Sequence, residues 1–271
     1  MSTWEDEMSP NFALHSFRYL AKVAAITGMD IRKLRHDPTE LLTRAIQPIL
    51  WLLVFGQVFA RTHAIPTGGV DYMAFLVPGI LAQSVLFVAI FNGISVIWER
   101  DLGIVHKFLA SPTPRTALVL GKALASGVRA LTQAVIVYAV AVALGVPLVW
   151  SARALLGVVA LVLLGAALFS TFSLIIACIV KTRERFMGIG QVLTMPLFFA
   201  SNAIYPTDIM PAWLKVVAHA NPLSFIVDGL RSLMLVGGAA TLGLGTDFGV
   251  LVVVLAALVW AGGWMYPRLI T

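Results

Sequence analysis

The sequence predicts an all-α membrane protein with about six transmembrane helices, and three observations carry that expectation. Only 12% of the 271 residues are charged and 59% are hydrophobic, where soluble domains carry about 25% charge. Mean hydropathy is +0.92. Six apolar stretches, near 42–61, 74–97, 123–147, 154–180, 186–205 and 247–266, are each long enough to cross about 30 Å of hydrocarbon. Finally, 14 of the 19 Lys and Arg residues fall on alternate sides of successive stretches, the positive-inside pattern that places both termini in the cytoplasm. The net charge of +6 is read as topology, so nucleic acid is not an expected partner.

Residues 1–40 form a cytoplasmic N-terminal segment in this reading, and 41–271 form one transmembrane domain. Glu5, Asp6 and Glu7 interrupt the N-terminus and no continuous apolar core follows them, so no cleavable signal peptide is expected. Residues 12–35 read as a basic amphipathic helix, with Arg18 and Lys22 four apart on one face. Such a helix lies in the headgroup region or docks a partner.

Between the first two spans, a short loop runs from Arg61 to Asp71 and contains Gly68-Gly69. After the second span comes WERDLGIVHKFLASPTPR, residues 98–115. A helix from Glu99 to Ser111 would gather Leu102, Ile104, Val105, Phe108 and Leu109 on one side, opposite Arg100, Gly103, His106 and Lys107. Pro112 and Pro114 would stop it. The third and fourth spans are joined by a turn near Val146 to Ser151 that contains Pro147.

The stretch after the fifth span, YPTDIMPAWLKVVAHANPLSFIVDGLRSLMLVGG, is too polar and too broken by proline for a lipid-facing span. Two short helices dipping partway into the outer leaflet fit it, as does an ordinary outer loop; broken backbone at that depth must be covered by protein or water.

Chemistry that would power or catalyse anything is missing from the pattern. None of the acids falls in the interior of a predicted span, which disfavours an ion-coupled carrier. The five histidines show no metal-ligand or HExxH spacing. Cys178 is the single cysteine, which excludes an intrachain disulfide and a cysteine metal site. Gly121-Lys122 lacks the glycine and the Ser/Thr that a phosphate loop requires. No catalytic residues, bound cofactor or metal are therefore expected.

The polar residues inside the spans are Gln57, Gln83, Asn92, Arg129, Gln133, Gln191 and Asn202. Amides at such positions commonly join helices. For Arg129 two readings stand open: snorkelling to the inner headgroups, or facing a lumen where it meets an anionic head group. Trp98, Trp150, Trp213 and Trp264 fit an interfacial belt.

Three stretches carry a family resemblance: VPGILAQS opening the second span, ERDLGIVHKFLASPTPR after it, and NPLSFIVDGLR before the last. In this order and spacing the chain resembles the ABC-2 permease family over essentially its whole length. It departs at Ile104, where many members carry Thr after Gly103.

The resemblance implies a type V ABC exporter fold, with an N-terminal interfacial helix, a cytoplasmic coupling helix and re-entrant outer helices before the last span. It also implies a multi-pass permease in a bacterial inner membrane, non-catalytic itself and paired with a second permease copy. Two separately encoded ATPase subunits would hold the ATP.

By that likeness Glu99, Arg100, Asp101, His106, Lys107 and Arg115 would couple to the ATPase. Gln83, Asn92, Arg129 and Asn202 would line the substrate path, and Pro206, Asn221, Pro222 and Arg231 would form the outer gate. Similarity to the drug-resistance and nodulation lipo-oligosaccharide branch implies an amphiphilic or hydrophobic substrate. Polysaccharide export is the alternative, disfavoured because the aromatics within spans are mostly Phe rather than Tyr. An ion-coupled transporter is the reading outside the class.

Overall fold

The computed structural model describes residues 19–29, 32, 38–62, 65–67, 69–110, 113–180, 182–238 and 240–269. The chain forms α1 (Tyr19–Met29) and α2 (Pro38–Leu50), which runs through a π-helical turn (Trp51–Gly56) into α3 (Gln57–Thr62). Then follow α4 (Tyr72–Asp101), α5 (Ile104–Ala110), α6 (Arg115–Ala143), α7 (Ala152–Ile179) and α8 (Arg183–Phe199). The bundle closes with α9 (Ala212–Ala220), α10 (Pro222–Met234) and α11 (Leu244–Met265). Among the described residues there is no strand, only an isolated bridge between Leu148 and Leu235.

Helix ends follow side-chain chemistry. Asp71, Ser151 and Asn221 each accept a hydrogen bond from a backbone N–H in the first turn they precede, at 3.0, 3.2 and 3.0 Å, which satisfies donors that a helix leaves bare. Pro48 inside α2 has no N–H for the Arg44 carbonyl. Three residues later the helix widens into its π turn.

Among the described residues, five stretches are long and apolar enough to cross a membrane: Thr43–Thr62, Tyr72–Asp101, Arg115–Ala143, Ala152–Ile179 and Leu244–Leu269. The stretch expected at 186–205 is α8, which has 17 residues and ends at Phe199. Its end is set in three dimensions. Asn221 Nδ2 donates to the Leu197 and Ala200 carbonyls at 2.7 and 3.1 Å, taking up acceptors the helix would otherwise extend to use.

The third span also differs from expectation. It begins at Arg115 rather than near 123, because Lys122, whose charge breaks the apolar window, is buried beside Glu99.

α4 lies at the centre. In its most apolar stretch 89% of residues are buried, against 17% for α11, which presents most of its surface outward. α6, α7, α8 and α10 pack around α4. Gly79 lets the backbone beyond α8 reach it, since a Cβ there would overlap the Ala203 carbonyl. Ser201, Asn202, Ala203 and Ile204 are accordingly buried, although none is helical. That is broken backbone covered by protein, as lipid surroundings require.

The segment before the last span forms two short helices, as expected. α10 is buried along Leu223–Leu230, whereas α9 exposes Trp213 and Val216.

Of the N-terminal amphipathic helix, Tyr19–Met29 is described; 12–18, 30–31 and 33–35 lie outside the described residues. α1 packs on the start of α6, where Thr27 Oγ1 donates to the Gly121 carbonyl at 3.0 Å and Ile26 lies over Gly121. The expected division at residue 40 falls inside α2.

The helix expected over 99–111 is two helices. α4 runs on through Glu99 to Asp101, and the chain turns at Leu102-Gly103, where Gly103 has φ +71°. Leu102 is then 68% exposed rather than on the packed side; Val105 is fully buried. Ser111 and Pro112 lie outside the described residues.

Candidate functional site

Two polar rungs join α4 to α6. At the Asp101 end, Lys122 Nζ donates to the Glu99 carboxylate, with the side chains only 4% and 5% exposed. Seven residues further along each helix, about 10.5 Å deeper, Arg129 Nη1 donates to Asn92 Oδ1 at 2.9 Å. Asn92 Nδ2 donates in turn to Ser170 Oγ of α7 at 3.1 Å. The spacing is the same on both helices because they run antiparallel and keep register over two turns.

Arg129 stands 14 residues into α6, about 21 Å from its start. Its guanidinium is held by Asn92 and lines a cavity.

That cavity, about 1040 Å³, lies between α2, α4 and α6 with Leu102 and Ile104 at its edge. Gln83, Asn92 and Arg129, three of the four residues that the resemblance assigns to a substrate path, line it together with Arg44, Gln133 and Glu99. Phe87, Phe91 and Trp98 supply the apolar wall. Gln133 is 1% exposed, and both its amide atoms lack a hydrogen-bond partner among the described residues. Arg129 Nε lacks one as well. Buried polar groups left open in this way are costly unless something fills them.

Asn202, the fourth expected path residue, lies elsewhere. Its carbonyl accepts from Arg231 Nη2 at 2.9 Å, beside the Tyr72 end of α4. Arg231 also lies over the Phe75 ring, 3.8 Å from its centroid. Burial lowers the Arg231 pKa to about 10, opposed by the Asp228 carboxylate, so the guanidinium stays charged at neutral pH. Asn221 and Pro222 open α10, and Pro206 precedes the 3-10 turn Thr207–Ile209. The four expected gate residues thus belong to one end of the bundle, opposite Asp101.

At the Asp101 end the six expected coupling residues divide. Asp101, His106, Lys107 and Arg115 are exposed and Arg100 is half-buried. Glu99 is 4% exposed, so it supports the helix pair rather than presenting a surface. Asp101 accepts from Arg100 Nη2 and from Arg183 Nη2 of α8, both at 2.9 Å. Arg183 also stacks 4.0 Å from the Trp98 ring centroid.

Sequence position did not show where the acids would be buried. Besides Glu99, Asp228 and Asp247 are sequestered, at 1% and 0% exposure. Asp228 accepts from Thr241 Oγ1 and from Leu242 N, the latter at 3.0 Å. The Asp247 carboxylate has no hydrogen-bond partner among the described residues. Lys122 and Gln133 were not expected to matter together with the path. The signal for Lys122 was its spacing of seven from Arg129, matching that of Asn92 to Glu99. Among the described residues no three His, Cys, Asp or Glu side chains are grouped to hold a metal.

Among the described residues, five helices are long and apolar enough to cross a membrane, and three of them line one cavity with a polar floor, which defines a multi-pass membrane protein. The chain belongs to the ABC-2 type transporter family, whose match covers residues 22–235. It is therefore the permease of an ABC transporter, a family that works with an ABC ATPase subunit. It is 27% identical to the transport permease ycf38 of Cyanophora paradoxa, over 80% of this chain and 76% of that one. It is 29% identical to the daunorubicin resistance ABC transporter permease protein DrrB1 of Streptomyces coeruleorubidus, over 74% and 70%. The inner membrane transport permease YadH of Escherichia coli K12 is 26% identical over 88% and 92%.

Proposed function

We propose that this permease exports an amphiphilic or hydrophobic molecule (a drug, a lipid or a lipo-oligosaccharide) from the cytoplasm or inner leaflet of a bacterial inner membrane. Two copies pair and engage two ATPase subunits, which bind and hydrolyse the ATP; the permease itself holds no cofactor. With α8 and the buried backbone at 201–204 completing a sixth crossing, both termini lie in the cytoplasm.

The observation carrying this reading is that one helix, α4, serves both ends of the task. Its middle forms the floor and wall of the cavity, and its Asp101 end leads through the Leu102-Gly103 turn into α5, which exposes His106 and Lys107. A push on α5 by a closing ATPase is transmitted along α4, which the Glu99–Lys122 pair locks to α6. The Asp101–Arg183 contact carries the same movement to α8. At the opposite end, Asn202, Asn221 and Arg231 tie the break after α8 to α10, a join that opens when those helices part.

Export rather than import fits a cavity whose edge, at Leu102 and Ile104, adjoins the proposed docking end. The test is co-purification with a co-expressed ABC ATPase subunit, followed by transport in inside-out vesicles. ATP-dependent uptake of an amphiphile that ceases when the ATPase Walker lysine is replaced is the expected result. Equal uptake by the permease alone without ATP overturns it.

A further inference from the structure

We propose that the α2–α4–α6 cavity selects amphiphiles with an anionic head group, phosphate or carboxylate, gripped by Arg129 with Gln133 beside it. The inference rests on the export reading above, and names the chemistry that the same cavity takes.

The charge of the walls points to it first. Arg129 lines the cavity, and among the described residues the one acid that lines it, Glu99, is paired with Lys122. Arg129 has no carboxylate within ion-pair distance among the described residues; its recorded partner is the neutral Asn92 amide. A guanidinium deep in a membrane protein is expensive, and a neutral acceptor compensates it only partly. An anion entering the cavity supplies the missing counter-charge.

Geometry points the same way. A guanidinium offers a planar fork that suits carboxylate or phosphate oxygens, and Asn92 occupies only one of its arms. Gln133 stands four residues beyond Arg129, one turn along the same face of α6, with its buried amide unpartnered. The amide N–H is therefore a second donor for the same group. Next to these donors, Phe87, Val88, Phe91, Ile94 and Trp98 form an apolar wall on α4. A head group on Arg129 with a chain along that wall uses both halves of the site. The volume of about 1040 Å³ reaches the upper end of typical ligand pockets.

The test measures equilibrium binding to the full chain with its ATPase in phosphatidylcholine nanodiscs, without nucleotide. The probes are dodecyl phosphate, neutral dodecyl maltoside and inorganic phosphate. Dodecyl phosphate should bind saturably and Arg129→Gln should weaken it about tenfold or more, with Arg129→Lys intermediate and maltoside binding unchanged by either variant. Inorganic phosphate at millimolar concentration should not displace it.

Equal binding of dodecyl phosphate to the wild type and Arg129→Gln overturns the proposal, as does maltoside binding as tightly. Displacement by inorganic phosphate alone makes the site one for a free anion and overturns the amphiphile assignment. If Arg129→Gln does not yield a folded complex, Gln133→Leu takes its place, with a several-fold loss for dodecyl phosphate alone expected and no loss overturning the proposal. Because no nucleotide is used, saturable binding without ATP-driven transport counts against export and leaves the site intact.

Discussion

Glu99 and Lys122 are paired almost out of contact with solvent, one on the last turn of α4 and the other on the second turn of α6. Glu99 sits in the segment that the family resemblance assigns to coupling, yet its carboxylate faces inward. Breaking such a pair leaves one buried charge uncompensated, at a cost of about 3–5 kcal/mol. Glu99→Gln and Lys122→Met should each lower the thermal unfolding midpoint of the purified protein sharply. The exchanged pair Glu99→Lys with Lys122→Glu should recover a large part of that loss; no recovery would mean that the two side chains do not act as a pair.

Asp101 and Arg183 join α4 to α8 in the open, each 37% exposed. Exposed pairs contribute about 0–1 kcal/mol, so Asp101→Asn and Arg183→Gln should leave the unfolding midpoint almost unchanged. If the contact relays motion to α8, substrate-stimulated ATPase activity falls in both variants while basal ATPase persists. Full stimulation in both removes Asp101–Arg183 from the coupling route.

The exposed face of α5 is the sharper test of docking. His106→Glu with Lys107→Glu alters two exposed side chains, so membrane insertion and yield should hold. The amount of ATPase co-purified should drop severalfold. Undiminished co-purification would point to a docking surface elsewhere.

At the other end of the bundle, Asn221 accepts from Leu223 N and donates to the carbonyls of Leu197 and Ala200. Asn221→Ala removes a helix cap together with a link to α8. Each buried hydrogen bond lost costs on the order of 1 kcal/mol, and the stranded acceptors add to it. A fall of about 2–4 kcal/mol in denaturant unfolding is expected, larger than for a cap alone.

Gly79 tests whether the backbone at Ala203 must touch α4. Gly79→Ala places a methyl against a carbonyl that packing holds in place, costing about 1–3 kcal/mol. Gly79→Leu should give little folded protein by size-exclusion chromatography. Near wild-type yield from the leucine variant would show that residues 201–204 are not held against α4.

Much of the fold was legible because hydropathy and helix stops are local. The span at 74–97 lies within α4, that at 154–180 matches α7 to within two residues at each end, and the proline-broken stretch resolves into α9 and α10. Errors arose where a distant residue changed the meaning of a local signal. Lys122 ended the apolar window of the third span because its partner, Glu99, lies 23 residues away. α8 stops at Phe199 because Asn221 takes up its carbonyls. Helical spacing puts Leu102 on a packed face, but Gly103 turns the chain and breaks the helical phase.

The site divides in the same way. Its residue types were visible as the few polar side chains in apolar surroundings, and Gln83, Asn92 and Arg129 do line one cavity. Asn202 does not, since it follows the end of α8 and is drawn to Arg231.

By itself the sequence determined that the chain is a membrane bundle, how its basic residues alternate about the spans, and which family it resembles. Those are properties of composition and spacing along one dimension. The tertiary structure alone decided which charges are neutralised in pairs and that Arg129 has an amide rather than a carboxylate for company. Charge pairing depends on distances of a few ångströms between residues far apart in the chain, and only packed antiparallel helices establish them.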